Sequence, residues 1–267
     1  MEIVTKRITR CITEYIIFVV LFICLAIGLS TLIRYFSNQG KPANKDPSNT
    51  EIHKQQTIIL DAGHGGEDGG AIGKIDTREI HEKDLNLSIT LMLRDLLEAE
   101  GFEVILTRET DTLLYDRNTE YKGRKKALDL AARLAIGENT PNAIFVSIHM
   151  NSFPQKQYQG LQVYYSPNHP MSQVLAQAMQ TKTAETIQPD NNRTIKKADS
   201  NIYLLHHMTC PSVLVECGFL SNEQECRMLC EEEYQKKIAQ ILFSSICQTL
   251  AGSNDSNEKN VFSEKNT

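Results

Sequence analysis

Short apolar runs alternate with stretches of helical spacing along most of this chain, and that alternation constrains its fold more than any other feature. Thr57–Asp61 (TIILD), Phe102–Thr107 (FEVILT), Ala143–His149 (AIFVSIH), Leu161–Ser166 (LQVYYS) and Ser212–Cys217 (SVLVEC) each read as a buried strand. Between them, Lys83–Glu100 places Leu85, Ile89, Met92 and Leu96 at helical spacing and stops at Gly101, a residue suited to a helix C-terminus. Lys122–Ile136 and Met171–Ile187 also read as helical, and helical patterns run from the last strand to about Leu250. Strands that are apolar throughout are buried on both faces. The expected fold is therefore α/β: one domain with a central, largely parallel twisted sheet flanked by helices.

The flanks read differently. Tyr15–Ile33 is free of charge and bounded by Glu14 and Arg34, long enough to cross most of a bilayer's ~30 Å hydrocarbon core. A signal peptide would have a shorter apolar core and an A-x-A-like site, so residues 15–33 are read as an uncleaved transmembrane signal anchor behind a short cytoplasmic segment, 1–14. Lys6, Arg7 and Arg10 on one side balance Arg34, Lys41 and Lys45 on the other. The free α-amino group and the long trailing domain then favour an extracytoplasmic C-terminal domain. Residues 34–56 read as a polar linker, 57–251 as the folded domain, and 252–267, rich in Ser, Asn, Glu and Lys, as a disordered tail. A net charge of −5 offers no basic stripe for nucleic acid.

Polar residues cluster where the strands end. Asp61-Ala-Gly-His64-Gly-Gly follows the first strand, Thr107-Arg108 the second, His149 and Asn151 close the third, and Glu216 ends the late strand. Ligands of open α/β sheets bind outside the carboxyl ends of the strands, so His64, Arg108, His149 and Glu216 are expected on one rim. Each has an ordinary reading as well. His64 sits in a glycine-rich turn, His149 could be a satisfied core histidine, and Glu79 and Glu82 lie where a helix dipole favours acids. Glu216 is harder to dismiss, because a carboxylate closing a buried strand is costly without a partner or a cation.

Two imidazoles and one carboxylate make a zinc site with a fourth position left for water. Such a site brings the water's pKa toward ~7 and polarises a carbonyl, and a separate carboxylate must carry the proton to the departing amine. His64, His149 and one acid from residues 67–82 would be ligands, with Glu216 as proton carrier. The residues alone thus point to metal-assisted hydrolysis of an amide or ester, without the helical H-E-x-x-H of thermolysin-type enzymes. Of seven cysteines, Cys11 and Cys24 lie in or beside the apolar stretch. Cys210, Cys217, Cys226 and Cys230 do not have zinc-finger spacing and read as packing residues. His206-His207 reads as surface or packing.

The blocks IILDAGHGGEDGGAIG (58–73), EKDLNLSITLMLRDLLEAEGFEVILTRETDT (82–112), FVSIHMNSF (145–153) and VLVECGFLSN (213–222) resemble the zinc-dependent N-acetylmuramoyl-L-alanine amidases, in that family's order. The resemblance implies one zinc ion and hydrolysis of the bond between N-acetylmuramic acid and L-alanine in peptidoglycan. It assigns His64, Glu82 and His149 to the metal, choosing Glu82 over Glu79, and Glu216 to catalysis. Asn151, Arg108 and Arg133 become candidate substrate contacts. Met150 replaces a smaller residue and is expected to reshape the pocket floor, and Gly137-Glu138 stand where Ala-Asn is common. Some relatives plug the site with a helix inserted between the second histidine and the catalytic glutamate. The stretch from His149 to Glu216 has little room for one, so control is expected from expression or an activating partner protein. Within the family, the anchor, the lack of wall-binding repeats and the run SNIYLLHHMTCPSVLVECGFLSN (200–222) resemble membrane-anchored amidases that help make spore-cortex muramic-δ-lactam. Two other readings share these residues: a non-catalytic wall-binding or regulatory module, and a zinc peptidase cutting within the stem peptide.

Overall fold

The computed structural model describes residues 56–115 and 123–264. The expected anchor at 15–33, the segment before it and nearly all of the linker lie outside the described residues. Among the described residues, no helix is long and apolar enough to cross a membrane.

The elements run β1 (Thr57–Ala62), β2 (Ile72–Ile75), β3 (Arg78–His81), α1 (Glu82–Glu100), β4 (Glu103–Leu106), α2 (Lys125–Glu138), β5 (Ala143–Asn151) and β6 (Gln162–Tyr165). They continue with α3 (Pro170–Thr186), β7 (Lys196–Lys197), α4 (Tyr203–His207), β8 (Ser212–Phe219), α5 (Glu223–Leu229) and α6 (Glu232–Glu264). Six strands form one sheet in the order β4-β1-β5-β8-β6-β7, and β2 and β3 pair as a separate hairpin. The sheet is parallel except where β6 runs antiparallel to β8. The expected fourth strand is therefore present but reversed. Reversal places its start, beside Gly160, at the end of β8 where Glu216 lies.

The alternation within each strand explains the layers. On β1, Ile58 and Leu60 face the larger core with Leu85, Ile89, Leu93 and Leu97 of α1, Leu175 and Met179 of α3, and Ile238 and Leu242 of α6. Ile59 faces the smaller core with Phe145, Leu204, Leu205 and Leu214, where α2 and the five-residue α4 provide cover. Each fully buried aliphatic side chain contributes about 1.5–3 kcal/mol, so both faces stabilise the sheet. The second face is the one with polar residues: by the same alternation Asp61, Ser147, His149 and Glu216 sit on it, beyond the end of its apolar packing.

Two expectations are corrected by the backbone. The hairpin Ile72–His81 is absent from the sequence-based element assignment, because each strand has only four residues and the pair is mostly exposed. At the other end, α6 continues to Glu264, past Gly252, where composition suggests an unstructured tail. Asn, Asp, Glu and Lys are compatible with a helix already nucleated and packed upstream.

Candidate active site

His64, Glu82 and His149 each offer one ligand atom, and those atoms all lie within 4.8 Å of one another. Three separate elements supply them. His64 follows β1 with φ 62°, in the left-handed region that few non-glycine residues occupy. Glu82 is the first residue of α1, and His149 stands near the end of β5. The two imidazoles meet edge to face, with ring centroids 5.0 Å apart.

Glu82 is the centre of this triangle and is only 3% exposed. Its Oε1 lies 2.9 Å from His149 Nδ1 and accepts the Met150 N–H at 3.0 Å. Its Oε2 accepts the Ala71 N–H at 2.7 Å and lies 3.3 Å from His64 Nε2. Burial alone would raise its pKa, but the bonds and charge of the two histidines outweigh that cost and hold the carboxylate well below its usual range. Glu79, the alternative acid, is exposed on β3 and pairs loosely with Lys74. His149 shows the reciprocal effect: burial presses it toward the neutral form, and Glu82 more than compensates, raising its pKa.

Two glycines shape the cradle. A Cβ at Gly63 would sit 2.2 Å from His149 Nε2, so the ring lies directly against the backbone. Gly70 combines φ 68° with a Cβ position 2.5 Å from Glu82 Oε2. A set of two imidazoles and a buried, ionised carboxylate, packed this closely against glycine backbone, fits a small borderline-soft cation.

Glu216 is the register partner of His149 across the parallel β5–β8 pair, so the two side chains share a face. Its carboxyl is pushed up to about 7, chiefly by burial and further by Glu82, with the histidines acting in the opposite sense. Its Oε2 is buried and has no hydrogen-bond partner among the described residues. The adjoining cavity, about 230 Å³, is bordered by Asp61, His64, His149 and Glu216 on the sheet side and by Tyr203 and Leu204 of α4 opposite. Three residues placed to hold a cation, beside a carboxyl that titrates near neutrality, can together serve the hydrolysis of an amide.

The two arginines offered as candidate substrate contacts are tied to protein groups, and Arg133 also borders the cavity. Arg108 is 3% exposed and donates to the carbonyls of Ala62, Gly63, Lys83 and Thr110. Arg133 is 1% exposed, pairs with Asp61 and Asp129, and donates to the carbonyls of Ala62 and His64. Both guanidiniums are occupied in fixing the loop that carries His64. Asn151 is half-buried at the end of β5, and its carbonyl accepts the Leu220 N–H. Met150 is 3% exposed and belongs to the larger core, on the face opposite His149. Its side chain thus forms no part of the pocket floor, and only its N–H reaches the site.

Several supporting residues escaped the sequence reading. Asn86 donates to the Gly63 carbonyl at 3.1 Å and lies one turn after Glu82 on the same helix face, so the E-K-D-L-N spacing already carried that signal. Lys83 donates to the Gly66 carbonyl and to Asp111. Asp68 Oδ2 lies 3.0 Å from His64 Nδ1, the ring nitrogen facing away from Glu82. Cys210, Cys217, Cys226, Cys230 and Cys247 are all free thiols.

The family model described as N-acetylmuramoyl-L-alanine amidase matches residues 58–248. The germination-specific N-acetylmuramoyl-L-alanine amidase of Bacillus subtilis is 34% identical over 198 residues, covering 74% of this chain and 81% of that protein. Among solved structures, the CwlD amidase of Clostridioides difficile, in complex with the GerS lipoprotein, is 45% identical with a TM-score of 0.68. The match covers 73% of this chain and 98% of that one. The catalytic domain of the amidase CwlV from Bacillus (Paenibacillus) polymyxa var. colistinus is 30% identical with a TM-score of 0.60, covering 73% and 98% respectively.

Proposed function

The chain belongs to the N-acetylmuramoyl-L-alanine amidase family, and we propose that His64, Glu82 and His149 hold one zinc ion while Glu216 moves the proton in its reaction. The enzyme hydrolyses the amide between N-acetylmuramic acid and L-alanine in peptidoglycan. Glu216 carries this assignment: a carboxyl in register with His149, pushed up to about 7, with one buried oxygen left unpaired.

Zinc, when bound, supplies Lewis-acid polarisation of the scissile carbonyl and makes water a competent nucleophile near neutral pH. Glu216 accepts a proton from the attacking water and returns it to the departing alanine nitrogen. A pKa near the working pH suits both halves of that transfer. Glu82 would be a ligand beside the two histidines, and the Met150 and Ala71 N–H groups fix its carboxylate. Arg133 and Arg108 fix the loop backbone from Ala62 to His64.

The likeness to the germination-specific amidase of Bacillus subtilis and to the CwlD amidase supports a role in making spore-cortex muramic-δ-lactam. The complex of the latter with a lipoprotein supports an activating envelope partner for this chain too. The uncharged run at 15–33 supports a membrane anchor, with residues 57–251 acting on the extracytoplasmic side.

The test uses the whole chain in detergent on purified peptidoglycan, with mass spectrometry of the products. Stem peptides beginning at L-alanine should appear, and should be lost on chelation and in Glu216→Gln, which keeps its zinc. Cuts inside the peptide would reassign the enzyme as a peptidase, and zinc binding without products would favour a binding module. Cortex from a deletion strain should lack the lactam; normal cortex would overturn that role.

A further inference from the structure

On the same face of the sheet as Glu216, one strand away, Gln162 holds a cation that makes no direct ion pair among the described residues. Gln162 of β6 is the antiparallel register partner of Glu216 and is 2% exposed. Its side-chain carbonyl accepts from Arg193 Nη1 at 3.2 Å, while its amide is tied to the Thr194 carbonyl at 2.8 Å. Arg193 Nε donates to the Gln159 carbonyl at 2.7 Å. Neither bond uses Nη2, and among the described residues Arg193 makes no ion pair.

The setting of this guanidinium is built rather than incidental. It stacks on Phe219 with its carbon 4.6 Å from the ring centroid and lies 5.9 Å from the Tyr158 centroid. Phe153 meets Tyr158 edge to face at 5.1 Å, and both remain a little under half exposed to solvent. Arg193 and Tyr158 border a cavity of about 650 Å³ that opens beside the end of β8. Glu225, the nearby acid, is spent on the N–H groups of Gly160 and Phe219, at 2.8 and 2.7 Å. It therefore props the loop under Tyr158 and meets Arg193 only through the field between them, with no direct ion pair. A planar, partly desolvated guanidinium with a free edge is suited to a carboxylate.

We propose that Arg193, seated on Phe219 and Tyr158, binds a free carboxylate of the stem peptide on the leaving-group side of the scissile amide. The inference rests on the amidase reading above. A carboxylate on the residue after the released alanine lies about 7 Å from the scissile carbonyl in an extended chain. Arg193 reaches this side of the site through Gln162, the register partner of Glu216.

The test compares two muramoyl tripeptides on the whole chain with zinc. One has a free carboxylate on its second residue, and in the other that group is a primary amide. For wild type, KM should be lower with the free carboxylate. In Arg193→Ala, KM for that substrate should rise about tenfold with kcat nearly unchanged, while the amidated substrate is little affected. Arg193→Lys should recover part of the preference. Equal losses on both substrates, or none, would overturn the proposal by reducing Arg193 to a loop-packing residue. Failure of wild type to release alanine-terminated peptides from either substrate would instead strike the amidase reading itself.

Discussion

Gly63 lies so close beneath His149 that a Cβ there would stand 2.2 Å from Nε2 and 2.3 Å from Cε1. The backbone cannot retreat, since the Gly63 N–H is bonded to the Ile148 carbonyl and its own carbonyl accepts from Asn86 and Arg108. The ring must therefore move. Gly63→Ala is expected to keep its helix content by circular dichroism yet bind zinc at least about tenfold more weakly in a chelator competition, because a ligand displaced by about 1 Å no longer meets the ion. Unchanged zinc affinity would remove His149 from the ligand set.

Arg133 is the largest fully buried side chain in the described structure, and it carries a charge. Its partners Asp61 and Asp129 are themselves buried, so losing the guanidinium strands two carboxylates in the interior. Arg133→Met should cost about 3–5 kcal/mol in urea denaturation. Because the side chain binds backbone rather than substrate, KM of the remaining folded enzyme should stay near wild type. A raised KM with unchanged stability would restore the role that the sequence resemblance assigned to it.

This reversal shows where the sequence was legible. β1, β5 and β8 were readable because both faces of each strand are buried, which leaves uninterrupted runs of Ile, Val and Phe. His64, His149 and Glu216 were readable because parallel strands deliver their ends to one rim. The reversed direction of β6 was not legible, since a four-residue apolar strand looks the same either way. Nor could sequence separate an arginine that grips carbonyls from one that faces substrate. Arg108 and Arg133, candidate substrate contacts by sequence, are buried, while Arg193 lies in the polar run NNRTIKK, which carries no motif.

Acid should unfold the domain partly through Asp61. Burial raises its pKa, but Arg133, the Ser147 hydroxyl, His149 and Thr107 together outweigh that and hold it below the ordinary 3.8. A group depressed in the folded state binds its proton more readily when unfolded. It therefore contributes its full stability above about pH 4 and loses it progressively as pH falls further. Asp61→Asn should flatten the dependence of stability on pH below 4 and lower stability at pH 7. An unchanged acid limb in urea titrations from pH 2.5 to 7 would place the acid sensitivity elsewhere, with Glu82 the next group to test.

Asp68 stands behind His64 as Glu82 stands before it. Its Oδ2 is 3.0 Å from His64 Nδ1, and its Oδ1 accepts the Gly70 N–H at 3.1 Å, so the carboxylate is itself held in place. Burial works against its charge, but His64 and Gly70 keep its pKa below the ordinary value, leaving it ionised at neutral pH. An ionised carboxylate close to the far nitrogen of a metal-binding imidazole favours its protonation and makes the ligating nitrogen more basic. Asp68→Asn keeps the shape and removes the charge. It should weaken zinc binding about 10–100-fold. Zinc added at a fixed concentration should then raise Tm less than in wild type, because stabilisation by a ligand follows its affinity. Glu67, exposed and paired with Lys125, serves as the control, and Glu67→Gln should leave both readouts unchanged. Equal zinc affinity in Asp68→Asn and wild type would show that the glycine-rich loop alone sets the His64 ring.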